Sequence, residues 1–168
     1  MSVRIVSLFL FVASLWQLGL EPVSAQQVQA ARVSHISGKT VPRFESLRYD
    51  KVNGRAGPSL NHPIKWHYSR EGLPVLILKE TEGWRYVRDP AGDEVWVHER
   101  MLSPMRTAVT TGPTLMRVKP EQDARSVARL HEGVQLEILE RGEDAVRVSS
   151  GRFRGWVDTD TLWGETER

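Results

Sequence analysis

Apolar and polar residues alternate with a period of two in two stretches of this chain. Val134, Leu136 and Ile138 fall on one face while Gln135 and Glu137 fall on the other, as a half-buried strand requires. The same register holds at Leu73, Val75 and Ile77, but there the opposite face carries Pro74 and Leu76. Apolar side chains on both faces predict that Leu76 is covered, and the second stretch is the body available to cover it.

Each stretch leads into a hairpin. Trp84-Arg85-Tyr86-Val87-Arg88 and Glu94-Val95-Trp96-Val97-His98 flank Asp89-Pro90-Ala91-Gly92-Asp93, a turn by composition because Pro fixes φ and Gly admits positive φ. Further on, Val146-Arg147-Val148 and Phe153-Arg154-Gly155-Trp156-Val157 flank Ser149-Ser150-Gly151. The order Gly72-Leu73-Pro74-Val75, Trp84 to Val87, Trp96-Val97, Leu102 thus returns as Gly133 to Leu136, Ala145 to Val148, Trp156-Val157, Leu162. An internal repeat of short strands without helical periodicity predicts an all-β protein of two tandem small antiparallel barrels. The connection Ser103-Pro104-Met105-Arg106 is too short and apolar for a loose tether, so the two modules should dock with limited freedom.

The N-terminus changes the picture of where the protein works. Arg4, the apolar run Ile5 to Trp16 and the small residues Val23-Ser24-Ala25 before Gln26 have the layout of a cleaved signal peptide, residues 1–25. The apolar run is shorter than the roughly 20 residues a bilayer span needs, so the mature form should hold no stable membrane span. Residues 26–41 are rich in Gln, Ala and Ser and unpatterned, and read as a flexible leader. Order is expected from Pro42-Arg43-Phe44, with module one over 42–104 and module two over 105–164. Cysteine is absent, so each small exported module must rely on an aromatic and β-branched core and on its neighbour rather than on disulfides. The net charge of +2 comes from interleaved acids and bases, which argues against nucleic acid as a partner.

In module one, Pro42-Arg43-Phe44-Glu45-Ser46-Leu47, Val52-Asn53-Gly54-Arg55-Ala56-Gly57-Pro58 and the later strands match an ordered set of motifs. That set resembles the bacterial SH3-like family, in particular its tandem periplasmic proteins from proteobacteria. Module two departs from the pattern: Thr114-Leu115-Met116-Arg117 keeps the arginine only, Lys119-Pro120 replaces Gly-Pro, and Ala145 stands where Trp84 stands. The resemblance implies small, partly open five-stranded SH3-like β-barrels, a role in wall targeting or protein contact, and an aromatic peptide groove beside the long loop. It does not imply an activity.

Trp84 and Tyr86 share a strand face opposite Val87 and would form a stiff surface suited to peptide. With Tyr49, Asn53 and Trp66 they make the candidate peptide-binding groove. The competing reading is that Trp66 and Trp84 fill the barrel, which deep burial of both indoles would favour. Asn53 is expected to satisfy backbone groups at a turn, and Gly57 to take a positive φ. Trp96 and Trp156 recur in both modules and read as core or barrel-closing residues.

Catalytic chemistry finds little support. The five histidines have no metal spacing, His62 and His67 flanking Pro63 rather than sharing a helical face. No Cys-His pair or Gly-x-Ser-x-Gly elbow is present, and no cofactor or metal is expected. The expectation is a non-enzymatic exported binding protein, periplasmic or secreted, recognising the stem peptide of peptidoglycan or a segment of an envelope protein. An interaction or regulatory subunit of an envelope enzyme is the alternative, and a hydrolase a third and weaker one.

Overall fold

The computed structural model describes residues 30–164, so the signal-peptide reading of residues 1–25 lies outside the described residues. Order begins earlier than Pro42. Strands β1 (Arg32–Val33) and β2 (Thr40–Val41) pair antiparallel as a small hairpin, within the segment read as a flexible leader. The hairpin is tied down by polar contacts that composition does not reveal: the Ser37 hydroxyl donates to Glu80 at 2.6 Å, and Val41 enters the first core.

The first barrel follows with β3 (Arg43–Leu47), β4 (Val52–Arg55), β5 (Ile64–Tyr68), β6 (Pro74–Thr81), β7 (Trp84–Arg88), β8 (Glu94–His98) and β9 (Leu102–Ser103). A 3₁₀ turn, Glu99–Met101, joins the last two. The second barrel repeats the set as β10 (Thr107–Thr110), β11 (Thr114–Arg117), β12 (Ser126–Leu130), β13 (Gln135–Arg141), β14 (Ala145–Ser150), β15 (Phe153–Asp158) and β16 (Leu162–Trp163). Each sheet is seven-stranded. The orders, β5-β4-β8-β7-β6-β3-β9 and β12-β11-β15-β14-β13-β10-β16, coincide position for position. Five strands per barrel were expected. The count rises because the presumed long loop folds as the hairpin β4–β5, and because the two-residue β9 closes on β3.

Both interiors are mainly aliphatic, with Tyr68 the aromatic member of the first. Leu47, Val75, Ile77, Val87 and Val97 are fully buried in the first, and Met116, Leu136, Val146, Val148 and Val157 in the second. Each such side chain contributes about 1.5–3 kcal/mol by removal from water, the main stabilisation available without cross-links. Contrary to expectation, neither Trp96 nor Trp156 belongs to the two core clusters. Trp96 and Trp156 sit half-buried outside the two clusters, because their strand neighbours Val97 and Val157 take the inward positions.

The barrels dock through their first strands. Ser46 donates to the Met105 carbonyl (2.7 Å) and meets the Thr107 hydroxyl (2.6 Å), which in turn donates to the Gly72 carbonyl (2.7 Å). Gln135 Nε2 donates to the Glu71 carbonyl at 2.9 Å. The Phe44 ring stands edge-on to Trp163, with centroids 4.9 Å apart and planes at 83°. Leu76, the Cα partner of Phe44, is half-buried, and Pro74 is buried against Gly164. The second barrel thus meets the outer face of β6 at Pro74, while Leu76 lies half-buried beside Phe44.

Candidate functional site

The hairpin β7–β8 pairs Trp84 with His98 and Tyr86 with Trp96. The Trp84 ring packs edge-on to His98, centroids 5.2 Å apart, and is only 8% exposed. Strand β4 passes in front of this pair. Alternation puts Asn53 and Arg55 on its outer side, while Gly54 turns inward, where a Cβ would lie 2.6 Å from Val95 Cγ2. Asn53 is exposed in β4 rather than set in a turn, and its side-chain oxygen meets His67 Nδ1 at 2.9 Å instead of a backbone group.

Arg55 shapes the adjoining loop by donating from Nη1 to the carbonyls of Leu60 (3.1 Å) and His62 (2.8 Å). Gly57 does not take a positive φ. It is needed for close approach, because a Cβ there would collide with the His62 ring. Asn53, Arg55, Leu60, Trp84, His98 and Met101 thereby enclose a cavity of about 340 Å³, completed by Lys51 and Arg100.

Of the five residues expected to form the groove, Asn53 and Trp84 meet in this cavity. Tyr86 lies further along β7, its ring 5.1 Å from that of Trp96, with Lys79 Nζ above both. Its hydroxyl donates to Glu94 at 2.9 Å, and that bond, helped by burial, raises the phenol's pKa. Trp66 is 47% exposed on the edge strand β5. It follows the alternation away from His67, and so away from Asn53. Tyr49 lines a second cavity of about 470 Å³ beside the first. The two indoles therefore part ways, Trp84 packed and Trp66 largely exposed, so neither the filling reading nor the groove reading covers both.

Beneath the second cavity lies a charged cluster that the strand pattern did not reveal. Glu80, with its side chain fully buried, binds Arg43 Nη2 (2.7 Å) and Arg85 Nε (3.1 Å), and Arg85 also reaches Glu99 (2.7 Å). Burial alone would raise the Glu80 carboxyl, but hydrogen bonds from Ser34, Ser37 and Arg43 and the charge of Arg43 hold it down to about 2. The sequence signal was available: Glu80 and Arg85 face each other across the tight turn of β6–β7.

The second barrel lacks the first cavity's walls. By register Ala145 replaces Trp84, Leu115 replaces Asn53 and Asp158 replaces His98. Arg117, the counterpart of Arg55, turns to pair with Asp158.

The model of the bacterial SH3 domain matches residues 48–104 and again 111–164, and the chain belongs to that family. Among curated proteins it is similar to the putative N-acetylmuramoyl-L-alanine amidase YrvJ of Bacillus subtilis (strain 168), with 24% identity over 123 residues. That match takes in 66% of this chain, which spans about a quarter (24%) of the relative's length. Two solved structures are similar in part. NlpC2 from Trichomonas vaginalis is 14% identical with a TM-score of 0.35, covering 74% of this chain and 48% of that one. NlpC1 from the same organism is 17% identical with a TM-score of 0.34, covering 79% and 48%.

Proposed function

We propose that this chain is a non-enzymatic binding protein of the cell envelope, periplasmic or secreted, whose first barrel takes a peptide in the cavity beside Trp84. The peptide is the stem of peptidoglycan or an extended segment of an envelope protein. One observation carries this reading: equivalent strands in identical order build an open aromatic cavity in the first barrel and a closed Arg117–Asp158 pair in the second. A barrel kept only for packing has no need of that difference.

In the first barrel the indole supplies a stiff apolar wall, and Asn53 and His98 supply polar edges for a peptide backbone. The second barrel acts as a docked, stabilising body. Membership of the bacterial SH3 family and similarity to a protein named as a putative N-acetylmuramoyl-L-alanine amidase favour an envelope ligand.

Sedimentation with purified cell-wall sacculi tests the proposal. The mature protein is expected to pellet with sacculi, and His98→Ala and Trp84→Ala are expected to release it, provided each variant keeps its melting temperature. Wild-type protein that stays in the supernatant removes the wall ligand. A defined protein partner recovered from envelope extract, and lost on the same substitutions, would identify an envelope protein segment instead.

A further inference from the structure

Two cavities meet at the 3₁₀ turn Glu99–Met101, and Arg100 at its centre lines both. The turn is held rigid where it starts: His98 Nδ1 accepts from the Arg100 backbone N–H at 3.2 Å, and Arg85 anchors Glu99. Among the described residues, no hydrogen bond or ion pair engages the Arg100 guanidinium. Arg55, by contrast, is committed to its loop.

The charge around this point is one-sided. The Trp84 cavity is lined by Lys51, Arg55 and Arg100 with no carboxylate. The neighbouring cavity adds Lys39, Arg43, Arg48 and Arg85 against Glu45 and Glu99. Such a one-signed field favours an anionic guest.

We infer that the ligand of the first barrel is a carboxylate-bearing peptide, and that Arg100 is the residue that pairs with its carboxylate on the ridge between the two cavities. This rests on the peptide-binding reading above and names the class of peptide. A carboxylate suits the site better than a phosphate for two reasons. The arginines here already receive carboxylates, Glu80 on Arg43 and Glu99 on Arg85. A dianion would also face Glu45 and Glu99, which line the second cavity. The planar guanidinium fork matches a carboxylate in two-point contact, which makes Arg100 a selective partner as well as a charge.

The test uses the mature protein and soluble peptides released from purified sacculi, either native or with their carboxyls converted to amides, and titration calorimetry reads the affinity. Wild type is expected to bind native peptides at least about tenfold more tightly than amidated ones, as loss of a charge-assisted contact implies. Arg100→Gln should weaken native binding by a similar factor while leaving amidated binding unchanged, and Arg100→Lys should restore part of it. Equal affinity for native and amidated peptides, or an Arg100→Gln variant indistinguishable from wild type, overturns the inference while leaving the peptide reading intact. No binding of either preparation removes the wall-peptide reading and overturns this inference with it. Inorganic phosphate that displaces native peptide more strongly than acetate at equal ionic strength overturns the carboxylate assignment.

Discussion

Gly54 and Val95 share one volume across the β4–β8 pairing, and the second barrel fills the same volume the other way round. A Cβ on Gly54 would come within 2.6 Å of Val95 Cγ2; in the second barrel Met116 stands at the place of Gly54 and Gly155 at the place of Val95. A Cβ on Gly155 would in turn lie 2.6 Å from Met116 Cγ. The motif difference between the two copies is therefore a matched exchange of large and small partners. Gly54→Ala is expected to destabilise the protein by about 1–3 kcal/mol through overpacking. Val95→Ala should recover part of that loss in the double variant, giving a non-additive cycle in urea denaturation.

Glu80 makes the protein acid-sensitive in a defined window. Its carboxyl stands at about 2 in the folded state against an ordinary 4.5, so its stabilising share is complete above about 4.5. That share should fade as pH falls towards 2. Replacement by Ala leaves Arg43 and Arg85 buried without their shared anion and is expected to cost roughly 3–5 kcal/mol at neutral pH. Thermal melts from pH 7 to pH 2 would display both effects, with the variant's curve flatter below pH 4.5.

Thr107 is the middle of the hydroxyl chain between the barrels. Thr107→Val keeps the shape but leaves the Gly72 carbonyl without its donor, and is expected to cost about 1–3 kcal/mol. Because the lost bonds join the two barrels, hydrogen exchange should rise on both sides of the junction and not within one barrel alone.

Gly72 adopts φ +73, and a Cβ there would approach Gln135 Nε2 at 2.6 Å. Gly72→Ala therefore meets backbone strain of about 1–2 kcal/mol together with displacement of a side chain that binds the Glu71 carbonyl. A melting temperature unchanged by this substitution would contradict the strained geometry.

The strands and the docking were legible because alternation and doubly apolar registers report burial directly. Pro74 is the clear instance, an apolar residue on the outer side of β6 that meets Gly164 of the second barrel. Alternation also explains the misplacements. Trp66 looks like a groove aromatic by proximity in sequence, but one step of register separates it from Asn53 and His67. Trp96 and Trp156 looked like core by their recurrence, whereas Val97 and Val157 take the inward places. Of the Glu80 cluster only the pair Glu80–Arg85 is local, across the β6–β7 turn; Arg43 comes from β3, and the closed sheet brings it to them. Of the cavity around Trp84, the sequence offered Asn53 and Trp84. His98, Arg100 and Leu60 joined it through the 3₁₀ turn and a loop whose course depends on Arg55.

The edge-on contact of Phe44 with Trp163 has a further result. Strand β3 opens the first seven-stranded sheet and β16 closes the second, so the outermost strands of the two barrels in sequence meet ring to ring. Loosening either barrel strips an aromatic neighbour from the other, which couples the unfolding of the two.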